Sequence, residues 1–258
     1  MIEVNSLHKK FGKVVAVENV SLSIHSGEIV GLLGPNGAGK TTTMRIISGL
    51  VKQTSGEVII GGIDVATQPQ AVQTLLGVMP DGGGLYTRLT ARENIRYFGE
   101  LHGVARKKIK ERIDYLMDLL HMDDIIDRRV DGFSHGERTK VALARAIIHD
   151  PDYILLDEPT NGLDVLTTRA VRTLLLTLKA QGKVIVFSSH LMHEVDHLCD
   201  RAIVVAKGKV VASGTLSELK QKTGTDTFED AFVRLAYEPK DIGQASIENS
   251  EASEEVSG

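Results

Sequence analysis

The sequence contains a single cysteine and no long apolar run. Cys199 stands alone, which excludes an internal disulfide bond and a zinc site built from several cysteines. One free thiol is typical of a reducing compartment such as the cytosol. No run of about 18 or more apolar residues occurs, and the start Met1-Ile2-Glu3-Val4 does not resemble a secretion signal. We therefore expect a chain that neither spans a membrane nor is secreted by that route.

An excess of positive charge is also missing. The chain has 30 Lys and Arg residues against 34 Asp and Glu residues, a formal net charge of −4. This balance gives no bulk attraction to nucleic acid or to anionic lipid, so no nucleic-acid partner is expected. With 258 residues, 42% of them hydrophobic, the chain is long enough to form a sheet that is covered on both faces.

A glycine-rich segment follows the apolar run Ile29–Leu33, which reads as a buried strand. It satisfies the pattern G-x-x-x-x-G-K-[ST] and continues into a predicted helix over residues 41–50 that Gly49 closes. The glycines let backbone N–H groups turn toward an anion, the helix start adds partial positive charge, and Lys40 adds a full one. The segment predicts a cradle for nucleotide phosphates with Thr41 near Mg²⁺, and a chance match is the alternative. Its residues are Gly34, Pro35, Asn36, Gly37, Ala38, Gly39, Lys40, Thr41 and Thr42.

Carboxylates follow a second apolar run. Residues 153–156 predict a strand buried on both faces, and it runs directly into Asp157 and Glu158. In an α/β sheet the carboxyl ends of the strands form the ligand-binding edge. Carboxylates are costly there unless they hold a cation or act in chemistry. We expect Asp157 to approach Mg²⁺ and Glu158 to approach a water, with His190 at the same edge after the strand 184–187.

Alternating residues near the N-terminus predict antiparallel strands over 2–4, 14–17 and 20–24. Phe11 falls in a predicted turn between the first two strands, where it could stack on a flat ligand such as adenine. A partly buried hairpin aromatic is an equally good interpretation.

The middle of the chain predicts a helical insertion over about 86–150, after a strand that ends near Asp81. An apolar helical face runs through residues 109–120, and the basic residues Lys107, Lys108, Lys110 and Arg112 are interpreted as its solvated side. Ser134-His135-Gly136-Glu137 has the spacing of a capping box and predicts an exposed helix start. Taken alone, this turn favours a local cap over an anion site.

The C-terminal part contains one more motif. Residues 193–197 match H-E-x-x-H, but no third zinc ligand is evident, and a solvated helix face is the better interpretation. A hairpin over 202–212 and a short helix over 216–222 are predicted next, with the ordered domain ending at about residue 237. Residues 238–258 have few large apolar side chains, so we expect a disordered acidic tail.

Five features point to one family: the cradle, the turn Ser134-His135-Gly136-Glu137 (the Ser134 turn), Asp157-Glu158, Asn161-Gly162-Leu163-Asp164 and His190. Together they resemble the ATP-binding subunit of an ATP-binding cassette (ABC) transporter, over residues 1 to about 235. The resemblance implies an α/β fold: a P-loop NTPase with a mixed central sheet, an antiparallel β subdomain and an inserted helical subdomain, all within a domain over 1–237. The run 89–94 is most similar to the NatA-like group that serves export permeases.

The resemblance also implies the cofactors ATP and Mg²⁺ and a head-to-tail dimer of the chain. ATP on one copy would be capped by Ser134, Gly136 and Glu137 of the other, and Asp164 would link the two sites. Lys40 contacts the phosphates, Glu158 is the general base and His190 contacts the γ-phosphate. Thr41, Asp157 and Asp81 lie near the metal, and Phe11 takes the adenine-stacking place. An integral-membrane permease would hold the subunit at the cytoplasmic side of the cell membrane, and sodium or another small solute would be exported.

Three residues depart from the family pattern. Asp81 stands where the family usually has Gln, His135 replaces Gly, and Glu137 replaces Gln. The rival classes are a non-transport cassette ATPase and a regulatory module that binds ATP without turnover. The chain has neither a long coiled coil nor a second cassette, which argues against the first rival, and Glu158 argues against the second. No Asn-Lys-x-Asp motif is present, which argues against a GTPase.

Overall fold

Two sheets and the helices around them form the part of the chain that the computed structural model describes, residues 1–82 and 84–237. The strands are β1 Ile2–Phe11, β2 Val14–Ile24, β3 Ile29–Leu33, β4 Ser55–Ile60, β5 Ile63–Asp64, β6 Leu76–Met79, β7 Tyr153–Asp157, β8 Val184–Ser189, β9 Arg201–Ala206 and β10 Lys209–Thr215. The helices are α1 Lys40–Ile47, α2 Pro69–Leu75, α3 Ala91–Leu101, α4 Arg106–Leu120, α5 His135–Ile147, α6 Val165–Ala180, α7 Met192–Leu198, α8 Leu216–Thr223 and α9 Phe228–Ala236.

The larger sheet has the strand order β10-β9-β3-β8-β7-β6. Its neighbours pair in parallel except for β9 and β10, which form the predicted antiparallel hairpin. Every residue of β3, β7 and β8 is buried, because helices or the second sheet cover both faces. This burial explains why these strands appear in the sequence as unbroken apolar runs. The parallel order β3-β8-β7 places the carboxyl ends of these three strands side by side.

The smaller sheet is antiparallel, with the order β2-β1-β4-β5. The predicted antiparallel strands are confirmed, but the stretches 14–17 and 20–24 form the single strand β2, and β1 extends to Phe11, which was predicted to lie in a turn. Register shifts after Val4, Leu7 and Lys9 interrupt the alternation of apolar and polar residues while β1 stays paired with β2. The pattern alone therefore underestimated the length of this strand.

Helices α3, α4 and α5 lie between β6 and β7, where a helical insertion was predicted. The apolar face of α4 is buried as expected at Ile109, Ile113, Leu116 and Leu120. Arg112 was wrongly assigned to the solvated side, since its Nη2 donates to the Ile147 carbonyl at 2.8 Å and its Nη1 lies 3.3 Å from Asp150. The domain limits, 1–237 and about 86–150, stay predictions, and the predicted tail over 238–258 lies outside the described residues.

Smaller differences concern helix ends. Helix α1 begins at Lys40 and stops at Ile47, and Gly49 follows in the left-handed region at φ 70°. The predicted short C-terminal helix is confirmed as α8, whose start is held by a capping box between Thr215 and Glu218. In the described part of the chain no helix combines the length and apolarity needed to cross a bilayer.

Candidate nucleotide-binding site

A cleft of about 370 Å³ opens at the carboxyl edge of the larger sheet. It is bounded by the loop after β3, the end of β7 and the residue after β8, so three neighbouring strands supply its polar groups. Its lining residues are Ala16, Asn36, Gly37, Ala38, Gly39, Lys40, Thr41, Thr42, Asp81, Asp157, Glu158, Asn161 and His190. The structure thus brings together most of the residues that the sequence predicted for phosphate and metal binding.

Two glycines of the loop have no room for a side chain. A Cβ on Gly39 would lie 2.4 Å from the Ala16 carbonyl oxygen, and a Cβ on Gly34 would lie 2.1 Å from that of Val205. Gly39 also has φ 102°, which side-chain-bearing residues rarely adopt. Gly39 is the N-cap of α1 and provides no side-chain cap. The first N–H groups of α1 are therefore suited to an anion.

Lys40 lies under this loop and is almost completely buried. Its Nζ donates to the carbonyl oxygens of Gly34 at 2.6 Å and Pro35 at 3.1 Å. Burial lowers the pKa of the ammonium, while the charges of Glu158 and Asp157 oppose that shift. The cleft thus holds one buried cation between loop carbonyls and two carboxylates, which suits a phosphate ligand.

The hydroxyl of Thr41 lies beside the carboxylate of Asp157, with 3.5 Å between Thr41 Oγ1 and Asp157 Oδ1. Asp157 is buried, and Ser188 Oγ donates to the same oxygen at 2.5 Å. In the described residues no group of three or more His, Cys, Asp or Glu side chains is arranged to hold a metal ion. A hydroxyl and one carboxylate beside a phosphate cradle fit Mg²⁺, which keeps waters and binds through few protein ligands plus substrate phosphates.

Glu158 projects into the cleft from a strained backbone. Its φ is 52°, and its N–H donates to Ser188 Oγ at 3.0 Å. His190 Nδ1 donates to Glu158 Oε2 at 2.8 Å. The two residues predicted for the reaction of the γ-phosphate are therefore in direct contact, with the carboxylate oriented by the imidazole.

The predicted capping box at the start of α5 is confirmed. The Ser134 N–H donates to Glu137 Oε2 at 2.7 Å, and the Glu137 N–H donates to Ser134 Oγ at 3.2 Å. Arg128 Nη1 lies 3.2 Å from Glu137 Oε1. The hydrogen bond from the Ser134 backbone lowers the pKa of Glu137. The carboxylate is therefore engaged within its own chain, although the turn itself is exposed.

Asp164 caps another helix, α6. Its Oδ1 accepts from the N–H groups of Leu166 and Thr167, both at 2.9 Å, and its Oδ2 accepts from Thr167 Oγ1 at 2.6 Å. The Thr167 hydroxyl holds the pKa of Asp164 below its ordinary value. Within the described residues, the lining of the cleft includes neither Asp164 nor Ser134, Gly136 and Glu137. These four predicted residues therefore do not line the cleft of their own chain.

Phe11 lies at the tip of the β1–β2 hairpin, half exposed, with Lys9 Nζ 4.6 Å from its ring centre. It is not among the residues that line the cleft, where β2 contributes Ala16. Adenine stacking therefore stays a prediction. The sequence analysis did not identify Ala16, for which no sequence signal exists, or Ser188. Ser188 directly follows the predicted strand 184–187, which is a signal for the sheet edge, and the structure pairs it with Asp157 on the adjacent strand.

The interpretation of the H-E-x-x-H segment as a solvated face was wrong for Glu194. This residue of α7 is buried, and its Oε2 lies 3.3 Å from Nη2 of Arg172 on α6. His193 and His197 are exposed, as expected for a solvated face. The carboxylate therefore binds an arginine inside the protein.

The mixed sheet, the phosphate loop after β3 and the carboxylates after β7 define a P-loop nucleotide-binding protein. The family described as ABC transporter matches residues 17–161, and the chain belongs to this family.

Similar proteins agree with this assignment. The chain is 47% identical over 221 residues to the ABC transporter ATP-binding protein NatA of Bacillus subtilis (strain 168), covering 85% of this chain and 90% of NatA. It is 36% identical over 214 residues to the Nod factor export ATP-binding protein I of Rhizobium sp. (strain N33), covering 83% and 70%. A solved dimeric, post-hydrolysis structure of the ATP-binding cassette MJ0796 bound to ADP and Pi is similar with TM-score 0.77 and 27% identity, covering 83% and 98%.

These findings confirm the predicted family, the α/β P-loop fold class and the assignment as an ATP-binding and ATP-hydrolysing transporter subunit. The cargo and the role of each site residue stay predictions.

Proposed function

We propose that the chain powers export of a small solute through a separate membrane permease, working as a head-to-tail dimer that binds two ATP molecules with Mg²⁺. The observation that carries this proposal is the cleft in which Lys40, Thr41, Asp157, Glu158 and His190 converge. Similarity to the Nod factor export ATP-binding protein I supports the direction of transport. Sodium is the candidate cargo suggested by the NatA-like resemblance, and the permease would hold the subunit at the inner face of the cell membrane.

Each polar group has a role in this proposal. The loop N–H groups and Lys40 bind the phosphates. Thr41 and Asp157, with Asp81 nearby, would hold Mg²⁺, and the ion would supply positive charge beside the phosphates. Glu158 accepts a proton from the attacking water, since its carboxylate faces the cleft and is oriented by His190. His190 also reaches the γ-phosphate. Phe11 stacks on the adenine from the hairpin tip.

The dimer is supported by the position of the Ser134 turn. Ser134 is exposed and the turn does not line its own cleft, so it is free to contact a nucleotide bound to a second copy. Dimeric solved relatives exist for the same fold. In the proposed dimer, Ser134, Gly136 and Glu137 of one copy cap the ATP of the other, and Asp164 lies between the two sites.

Replacement of Glu158 by Gln tests the proposed chemistry. The amide keeps the shape of the side chain but cannot accept a proton, so ATP hydrolysis should fall by about 10²-fold or more. ATP should still bind, and the variant should accumulate as a dimer with ATP and Mg²⁺ in size-exclusion chromatography. Exposed Glu229→Gln on α9 serves as the matched control. A monomeric Glu158→Gln protein with normal turnover would show that Glu158 has only a structural role.

A further inference from the structure

His135 contacts the segment that follows Glu158. Its Nε2 lies 2.8 Å from the carbonyl oxygen of Asn161. Because a carbonyl only accepts, Nε2 carries the hydrogen, and both the neutral Nε2–H tautomer and the imidazolium ring satisfy this bond. The family signature named in the resemblance has glycine at this position, and glycine has no side chain to donate.

The Asn161 end of the contact belongs to the turn that carries Glu158. The Asn161 N–H donates to the Glu158 carbonyl at 3.3 Å, which closes this turn. Gly162 follows at φ 67°, and a Cβ built there would lie 3.5 Å from His135 Cδ2. The imidazole therefore packs against the turn as well as donating to it.

The His135 end of the contact is rigid. His135 is the first residue of α5, and its own carbonyl accepts from Thr139 Oγ1 at 3.0 Å. The capping box of Ser134 and Glu137 fixes the same helix start. Glu158, by contrast, holds φ 52°, a conformation that residues other than glycine rarely adopt and that the surroundings must maintain. Because the helix start is held by its own hydrogen bonds, we expect the contact to act mainly on the strained turn.

We propose that His135 is a positioning residue that holds the Glu158 turn of its own chain in the orientation needed for ATP hydrolysis. The inference rests on the proposed function, in which Glu158 is the base for the ATP bound to its own chain and Ser134 caps the ATP of the partner. His135 lies within the capping turn, between Ser134 and Gly136, yet its side chain contacts the Glu158 turn of its own copy. Because the cap acts on the partner's ATP and His135 acts on the ATP of its own chain, the two effects can be tested in separate copies.

Mixed dimers separate the two copies. One copy carries Gly136→Arg, which blocks its capping turn but leaves the Ser134 N-cap in place, and the other carries Glu158→Gln, which removes its base. Neither protein alone has a complete site, but a mixed head-to-tail dimer has one, with Glu158 from the first copy and the unblocked capping turn from the second. His135→Met is then introduced into either copy, because methionine fills similar space without donating a hydrogen bond.

With His135→Met in the copy that keeps Glu158, we expect kcat to fall by about three- to tenfold, the scale of one lost hydrogen bond. In the copy that keeps Gly136, the same change should leave kcat within about twofold, and the ATP concentration for half-maximal rate should be unaffected in both cases. His135→Gln, whose amide can donate to the same carbonyl, should restore most of the rate. Thermal melting of each variant checks that folding is unchanged.

Equal effects in the two copies, or no effect in the copy that keeps Glu158, would overturn the role of His135. Mixed dimers without any activity would instead contradict the head-to-tail arrangement of the proposed function. In that event the homogeneous His135→Met protein decides the role of His135, because an unchanged kcat there overturns it and a reduced kcat that Gln restores supports it.

Discussion

Asp157 and Glu158 are neighbours in the chain, but their environments differ. Asp157 ends β7, is buried, and accepts a hydrogen bond from Ser188. Glu158 leaves the strand at φ 52° and contacts His190. The sequence predicted that both carboxylates lie at the ligand-binding edge, since an apolar strand precedes them. It could not predict the backbone turn that separates them, because that turn depends on contacts with β8 and α5.

The position of Phe11 leads to a prediction about nucleotide affinity. If the ring stacks on adenine, Phe11→Ala should raise the ATP concentration for half-maximal hydrolysis by about fivefold or more, since base stacking on an aromatic ring contributes about 1–3 kcal/mol. The maximal rate should stay nearly unchanged, because Phe11 is not among the residues that line the cleft around Lys40 and Glu158. Steady-state ATPase kinetics measure both quantities.

Phe11→Tyr provides the control, as it keeps an aromatic ring at the hairpin tip. An alanine variant that saturates at the parent's ATP concentration would mean that Phe11 is only a hairpin aromatic.

Helices α6 and α7 are joined by an ion pair between a partly buried arginine and a buried glutamate. Arg172 on α6 contacts Glu194 on α7, and α7 begins two residues after His190. We expect Glu194→Gln to destabilise the protein by about 1–2 kcal/mol, because the partly buried guanidinium loses its charged acceptor. This corresponds to a decrease in melting temperature of about 2–8 °C for a domain of this size.

Exposed Asp196→Asn on the same helix is the matched control and should leave the melting temperature unchanged. If both variants melt like the parent, the ion pair does not contribute to stability.

A second pair of elements is linked by two imidazole rings. His102 follows α3 and His149 follows α5, and their rings stack with centroids 3.7 Å apart. Burial lowers the pKa of His149 from 6.5 to about 4 and also lowers the pKa of His102. Between pH 6.5 and 4 the unfolded chain therefore binds more protons than the folded one, so acidification through this range destabilises the fold.

We expect the melting temperature to fall from pH 7 to pH 5, and to fall less in His149→Gln, whose amide can still donate to the Leu76 carbonyl that His149 Nε2 contacts. Melting curves at several pH values measure the difference. Exposed His197→Gln is the control and should retain the parent's pH dependence. An identical pH dependence in the His149 variant would contradict the prediction.

The sequence predicted the helices and strands better than the contacts between them. Strands β3, β7 and β8 were found because burial on both faces leaves an unbroken apolar run. The length of β1 was missed because bulges break the alternation. The burial of Glu194 was missed because its partner Arg172 lies on another helix, and a motif of five residues contains no information about that contact.

The whole molecule places residues from distant parts of the chain at one sheet edge. Strand β3 lies between β8 and β9, so the phosphate loop faces the ends of strands that come more than 100 residues later. The glycine-rich loop after β3 and the polar residues that follow the apolar runs of β7 and β8 indicated in the sequence that these strand ends lie together. The separation of the Ser134 turn and Asp164 from the same cleft was implied only by the family resemblance, since no local pattern determines how the helical insertion is oriented.

Removal of residues 240–258 tests the predicted limit of the domain. Because this segment has few large apolar residues, we expect the truncated protein to keep its ATPase rate and to melt within about 1 °C of the parent. Removal from residue 228 onward is the control and should destabilise the protein, since it deletes the buried side chains Phe228, Ala231 and Phe232 of α9. A loss of several degrees in the shorter truncation would show that the segment packs on the domain.

The exposed Ser134 turn, which lies outside the cleft of its own chain, has a consequence for enzyme assays. In the proposed arrangement a monomer has no complete site, so the ATPase rate of a dilute solution should increase with the square of the protein concentration. The rate should become linear once most molecules are paired. Two copies held side by side by a permease, or joined in one polypeptide by a flexible linker, would be at a high effective concentration and would lose this dependence. Specific activities of the isolated subunit can therefore be compared only at a stated protein concentration.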